Sequence, residues 1–418
     1  MIYEICEVDM VTAVGVSGNE ISGNGNVGDG HMTPQTAIRG AKVLTPYGWL
    51  EEATLVFEGQ RISQVDQNSA PAGAVEKDGS GLLILPGIID IHGDAFERSI
   101  CPRPGTTFPL ELALPDTDRQ VLGSGITTYF YSITHSYEPG LRSRDTTRRL
   151  IDYLLGEPGR SLLCNNRIHI RHEIANVDGL DELKGWMAAG QVHMLSLGDH
   201  LPPPGQDSSE RMLRSLRQRL KVDDSEIQAA IDRALSQRER GYEDIDDLMA
   251  VARQYTIPTA SHDDDSVEKV MASAQRGVSV AEFPTSVELA QLAIEQGARV
   301  LMGAPNLIRG GSHLGNVGVK EAAQAGVLDI LCSDYHFPSL FQAPFLLAEL
   351  GLMTFPEAWA AVSQHPADAA NLGTSKGRLM PGYDADFLVV EPKNHYSKLR
   401  EVYVAGDCVF SSPTSVAT

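Results

Sequence analysis

His92-Gly93-Asp94 ends the apolar run Leu82-Leu83-Ile84-Leu85-Pro86-Gly87-Ile88-Ile89-Asp90-Ile91, and an imidazole and a carboxylate at the tip of a buried strand can share a divalent metal ion. Side chains alternate along a strand, so Asp90, His92 and Asp94 are expected on one face, with Ile89 and Ile91 on the other. Alone, His-x-Asp is a weak signal, since most such triplets have no ligand role. Four more apolar runs strengthen it by ending the same way. Glu173 follows Arg167-Ile168-His169-Ile170-Arg171-His172, His200 follows Val192 to Asp199, His262 follows Ile257 to Ser261, and Asp334 follows Val327 to Ser333. The candidate ligands are therefore His92, Asp94, Glu173, His200, His262 and Asp334. Nitrogen and oxygen donors of this kind suit one or two divalent ions, zinc first, with manganese or iron as alternatives. The chemistry they support is hydrolysis, because a bound cation makes water a nucleophile at neutral pH.

Such ligands need a scaffold that brings strand ends together. Short, nearly continuous apolar runs are the mark of parallel strands buried on both faces, and functional groups at their C-terminal ends are the habit of a TIM (β/α)8 barrel. The chain has 418 residues, more than the about 250 a barrel typically takes, which leaves room for an accessory domain. β-type runs lie at both ends, Ala41–Leu44 and Thr54–Ile62 before the barrel, Gly377–Val390 and Val402–Gly406 after it. The expected division is a small β-sandwich domain from 36–85 plus 377–412 and an α/β barrel over 86–376. Residues 1–35 are rich in Gly, Asn and Ser and read as a disordered or vector-derived leader, with Gly30-His31-Met32 like a cloning junction. Between His200 and His262, Leu213, Leu216 and Leu220 at helical spacing predict amphipathic helices, packed on the barrel rim or closing as a lid.

Longer motifs narrow the reading. The order His-x-acid, Glu, His, His, Asp resembles the amidohydrolase superfamily. Ala260-Ser261-His262-Asp263-Asp264, Ala281-Glu282-Phe283-Pro284-Thr285, Val300 to Asn306, Arg309 to Val317 and Ser333-Asp334-Tyr335 resemble its phosphonate-metabolism branch, from about Ile38 to Phe410. Ala95 and His336 stand where that branch carries an Asn and a second aromatic. The resemblance implies one metal on His92, Asp94 and Asp334, another on His200 and His262, and Glu173 bridging them where many relatives use a carboxylated lysine. It implies Asp334 as the group that moves the proton, with His336 beside it as a second catalytic candidate, and cleavage of a sugar 5-triphosphate with release of diphosphate. Two rival readings stand beside it: a hydrolase of cyclic amides or N-acyl groups on the same metals, and a non-catalytic scaffold of the same fold.

A phosphorylated small molecule would need a local basic pocket, because the formal net charge is -21. That balance argues against nucleic acid or an anionic membrane as partner. Arg309-Gly310-Gly311-Ser312-His313-Leu314-Gly315-Asn316 offers such a pocket, with glycine N–H groups, the forked Arg309 guanidinium, and Ser312, His313 and Asn316 as further donors. Arg103 is an additional candidate. The chain shows no basic, apolar leader and no membrane-length run, and its five cysteines lack a pairing pattern, so a cytoplasmic location with reduced thiols is expected. A homo-oligomer is left open.

Overall fold

The computed structural model describes residues 35–201, 216, 223–311, 316–394 and 396–412. The expected leader and most of 202–222, including Leu213 and Leu220, lie outside the described residues. Sixteen strands form two sheets. The first holds β1 (Thr36–Thr45), β2 (Gly48–Glu58), β3 (Arg61–Asp66), β4 (Val75–Asp78) and β5 (Leu83–Pro86) from one end of the chain. β14 (Phe387–Glu391), β15 (Lys398–Val404) and β16 (Asp407–Ser411) join it from the other. Its order is β16-β15-β14-β5-β1-β2-β3 with β4 beside β1, so the two ends of the chain meet where β5 pairs antiparallel with β14. Ile38, Leu55, Phe57, Ile84, Phe387, Val389 and Tyr403 pack its core, with the Phe387 and Tyr403 rings stacked at 4.2 Å.

The second sheet is the barrel: β6 (Ile88–Gly93), β7 (Ile126–His135), β8 (Asn165–Glu173), β9 (Met194–Gly198), β10 (Thr259–His262), β11 (Val280–Glu282), β12 (Arg299–Gly303) and β13 (Ile330–Cys332), in that order and all parallel. It closes between first and last strands. Asp94 N donates to Asp334 O at 3.0 Å and Asp334 N to His92 O at 3.1 Å. Ile89, Ile91, Phe130, Met194, Ala260, Val280, Leu301, Ile330 and Cys332 form one buried apolar cluster contributed by the strands. The helices between strands start where a serine can cap them: Ser143, Ser266 and Ser286 each accept a backbone N–H of the first turn.

The excursion between β9 and β10 contains a 31-residue helix, Asp224–Gln254, capped by Asp223. Its buried face, Ile227, Ile231, Ala234, Ile245, Leu248, Met249 and Ala252, makes it amphipathic, and it lies C-terminal to the Leu213, Leu216 and Leu220 spacing on which helices were expected. At Gly241 the helix passes so close to the chain that a Cβ there would meet Ile174 O at 2.1 Å.

The barrel's exit is bolted to the small sheet by a buried lysine. Lys376 Nζ reaches Asp386 at 2.5 Å and Asp384 at 2.9 Å, while the other Asp386 oxygen accepts Ala405 N at 2.7 Å. Lys376→Met would leave the buried Asp386 carboxylate without its cation, while Asp384 keeps only Arg61 at 2.9 Å. The expected loss is about 3 to 5 kcal/mol, read as a lower urea midpoint, and an unchanged midpoint would reject the bolt.

Candidate metal centre

The six candidate ligands lie at five strand ends on one mouth of the barrel. His92 and Asp94 end β6, Glu173 ends β8, His200 stands two residues past β9, His262 ends β10 and Asp334 stands two residues past β13. Alternation along β6 breaks at a register irregularity between Asp90 and Gly93. His92 thereby meets groups from strands that are not its neighbours: its Nδ1 is 2.8 Å from Glu282 Oε1 on β11, and its ring is 5.5 Å from both His169 and His262. Asp90, expected beside it, accepts the His92 backbone N–H at 3.3 Å and Ser333 N, just past the closing strand, at 3.1 Å. Gly93 has to be glycine, because a Cβ would sit 2.3 Å from the Tyr129 ring, whose hydroxyl donates to Gly93 O.

Two compact donor groups result, His92 with His262 and Glu282, and His200 with His262 and Asp263, each with ligand atoms within 4.8 Å of one another. His262 belongs to both. Asp94, Glu173 and Asp334 fall outside these groups. Glu173 accepts from His200 Nδ1 at 2.5 Å, Asp94 meets the Arg171 guanidinium at 3.3 Å, and Asp334 lines the adjacent cleft. Arg171 also donates to His262 Nε2 at 2.9 Å. Glu282, Asp263 and Arg171 are the residues the ligand search along the sequence passed over. The rule that found the others, an apolar run with a polar tip, applies equally to Val280-Ala281-Glu282, and Asp263 adjoins a residue already chosen.

Burial sets the protonation of this cluster. It pushes His92 well below its ordinary range, His169 to about 3 and His262 to about 4, in each case aided by the nearby Arg171 charge. Neutral imidazoles with free lone pairs are what a metal requires. Burial also raises Asp94, and together with Asp94 it raises Asp334 to about 7. Glu173 resists its own burial and stays low because His200 faces it, and the same pairing raises His200. Asp263 likewise resists burial and falls to about 2 beside His262 and His200. Glu282 Oε2 and His169 Nε2 are buried without hydrogen-bond partners. A buried carboxylate oxygen left unpaired among neutral imidazoles fits a divalent cation, and nothing else among the described residues satisfies it.

Beside the cluster lies a cleft of about 150 Å³, lined by His92, Arg171, His262, Phe283, Asn316 and Asp334 among others. Arg309 is exposed and donates to the Tyr335 hydroxyl at 2.9 Å, which ties the glycine loop to the residue after Asp334. Asn316 reaches the cleft; Ser312 and His313 lie outside the described residues. His336 is exposed, begins the helix Phe337–Glu349 and pairs with Ser339 at 2.8 Å. Arg103 is exposed in the turn it shares with Thr106, and no contact joins it to the centre.

A parallel barrel carrying histidine and carboxylate groups at its C-terminal mouth defines the class, and the chain belongs to the amidohydrolase family, whose sequence pattern it matches over residues 83–411. It is a hydrolase of that family. It is 32% identical over 339 residues to the alpha-D-ribose 1-methylphosphonate 5-triphosphate diphosphatase of Escherichia coli K12, covering 80% of this chain and 89% of that one. Its fold is also that of a Xaa-Pro dipeptidase with methionine bound in its active site (TM-score 0.61, 15% identity, 90% and 100% of the two chains). Molinate hydrolase shares it as well (TM-score 0.60, 12% identity, 93% and 99%).

The long helix steadies the centre from outside. Arg238 grips Asp199 through two nitrogens at 2.6 and 2.8 Å, and the Tyr242 hydroxyl donates to the same oxygen at 2.7 Å. Asp199 directly precedes His200. Arg238→Gln is expected to weaken metal retention about 10- to 100-fold, as measured against a competing chelator, with a small change in melting temperature. Tyr242→Phe should do the same more mildly. Retention equal to the wild type in both would remove the helix from the account of His200.

Proposed function

We propose that this chain hydrolyses the triphosphate of alpha-D-ribose 1-methylphosphonate 5-triphosphate or a close relative, releasing diphosphate. The observation that carries the reading is the 32% identity to the diphosphatase, over 80% of this chain and 89% of that one. In support, Asn306 and Asn316, on either side of Arg309 in the chain, line the cleft beside the donor cluster, and a guanidinium tied to Tyr335 is the kind of forked donor a phosphate engages. A cytoplasmic location, a small phosphorylated substrate and the division into a β-domain and a barrel belong to the same proposal. Among the described residues no helix is long and apolar enough to cross a membrane, and Cys101, Cys164, Cys332 and Cys408 are unpaired.

His262 would hold the metal with either His92 and Glu282 or His200 and Asp263, and Asp94, Glu173 and Asp334 stand beside them. A divalent ion bound there supplies a water acidic enough to be a nucleophile and offsets charge on the attacked centre. The water oxygen forms a bond to the phosphorus nearest the sugar, and the anhydride bond to the rest of the chain breaks. The products are a 5-phosphate and diphosphate. Asp334 receives the proton from the water and returns it toward the departing oxygen. Arg309 and Asn316 hold the phosphoryl chain, and Phe283, Pro284, Met302 and Val317 shield the cleft from water.

The test is diphosphate release from a ribose 5-triphosphate by metal-loaded protein. His200→Ala and His262→Ala should lower metal content by elemental analysis and abolish release. Asp334→Asn should keep the fold and lose about 10²- to 10⁴-fold in rate. Arg309→Ala should lower kcat/KM for the triphosphate without changing metal content. No release from any such compound, with turnover of an N-acyl or cyclic amide substrate indifferent to Arg309, would sink the phosphate reading.

A further inference from the structure

We infer that this chain carries one divalent ion at its centre and that the Arg171 guanidinium serves as the second positive charge. The inference rests on the metal-dependent reading above and adds the count of ions. Both donor groups depend on His262. A neutral imidazole has one lone-pair nitrogen, so His262 can complete only one group at a time. These two groups thus seat one ion between them, and a second ion would have to draw on the remaining acids, Asp94, Glu173 and Asp334.

Arg171 decides what happens to the remaining acids. It lies on β8 two residues before Glu173, and its side chain is 13% exposed, with one nitrogen on Asp94 and another on His262. A guanidinium is charged at every working pH. It therefore neutralises Asp94 permanently and repels a second dication from the space between β6 and β10. An arriving ion takes the His262 lone pair from Arg171, which keeps its contact with Asp94. The fixed charge then faces the cleft lined by Arg171, Phe283, Asn316 and Asp334, where a phosphoryl oxygen gaining negative charge would lie.

The experiment counts ions, by elemental analysis and by calorimetric titration of zinc into metal-stripped full-length protein. One equivalent is expected for the wild type and for Arg171→Lys, which keeps the charge. Two are expected for Arg171→Gln, which keeps polar contacts without the charge, and for Arg171→Met, each with its fold checked by circular dichroism. Two tight equivalents in the wild type would overturn the inference while leaving the metal-dependent hydrolase intact. One equivalent in a folded Gln or Met variant would also overturn it. No bound metal in the wild type would bring down the metal-dependent reading itself.

Discussion

The barrel closes at the point where its chemistry sits. Two backbone hydrogen bonds join β6 to the residues after β13, and both involve residues from the His92-Gly93-Asp94 and Asp334 pair of segments. The separation of these side chains is consequently set by the accumulated tilt and stagger of eight strands. Asp334 takes part with a φ of +52°, left-handed for a residue with a side chain, and Asp263 and Phe283 at the ends of β10 and β11 do the same at +55°. Each such conformation costs on the order of 1 to 3 kcal/mol and persists only where the surroundings hold it. At three strand ends the backbone is bent so that a side chain can face the mouth.

Closure brings many ionisable groups into a nearly dry space, and the arrangement follows from keeping each charge answered. Glu173 is answered by His200, Asp94 by Arg171, and Asp263 by two imidazoles. Glu282 is answered on one oxygen by His92 and on the other by nothing. The helix Asp224–Gln254 extends this order outward, because Arg238 and Tyr242 fix the carboxylate of the residue before His200 and Gly241 lets the helix rest on Ile174, next to Glu173. A rim helix thus holds two strand ends from behind.

The barrel was legible because five of its strands are short apolar runs that lead to a metal-capable residue, and the two-ended sheet because β-type runs lie at both ends of the chain. His92, His200 and His262 were legible for the same reason. The pairing among them was not. Strict alternation placed Asp90 with His92, but the Asp90 carboxylate is held by backbone N–H groups of His92 and Ser333 while the His92 ring meets Glu282, and the register shift in β6 leaves no trace in composition. Glu282 was missed although β11, like β13, is a three-residue run with an acid at or just past its tip. Arg171 lies in the run that leads to Glu173, but its partners come from the ends of β6 and β10, residues 77 and 91 positions away in the chain. Contacts at such separations are products of topology.

The sheet shared by both ends of the chain has a consequence for biosynthesis. β5 leaves the ribosome with its β14-facing edge unpaired, and its partner Phe387–Glu391 follows some three hundred residues later. At about 5 to 20 residues per second that edge waits on the order of 15 to 60 seconds, through synthesis of the entire barrel. β5 reads Leu-Ile-Leu-Pro, three apolar residues with a proline at the end. An exposed apolar edge of this kind invites pairing with another nascent chain, and its brevity and terminal proline limit how far such pairing can run. Joining the two ends of the small sheet through a short linker and opening the chain elsewhere would bring the β14 and β5 segments within about seventy residues of each other and shorten that wait to about 4 to 14 seconds.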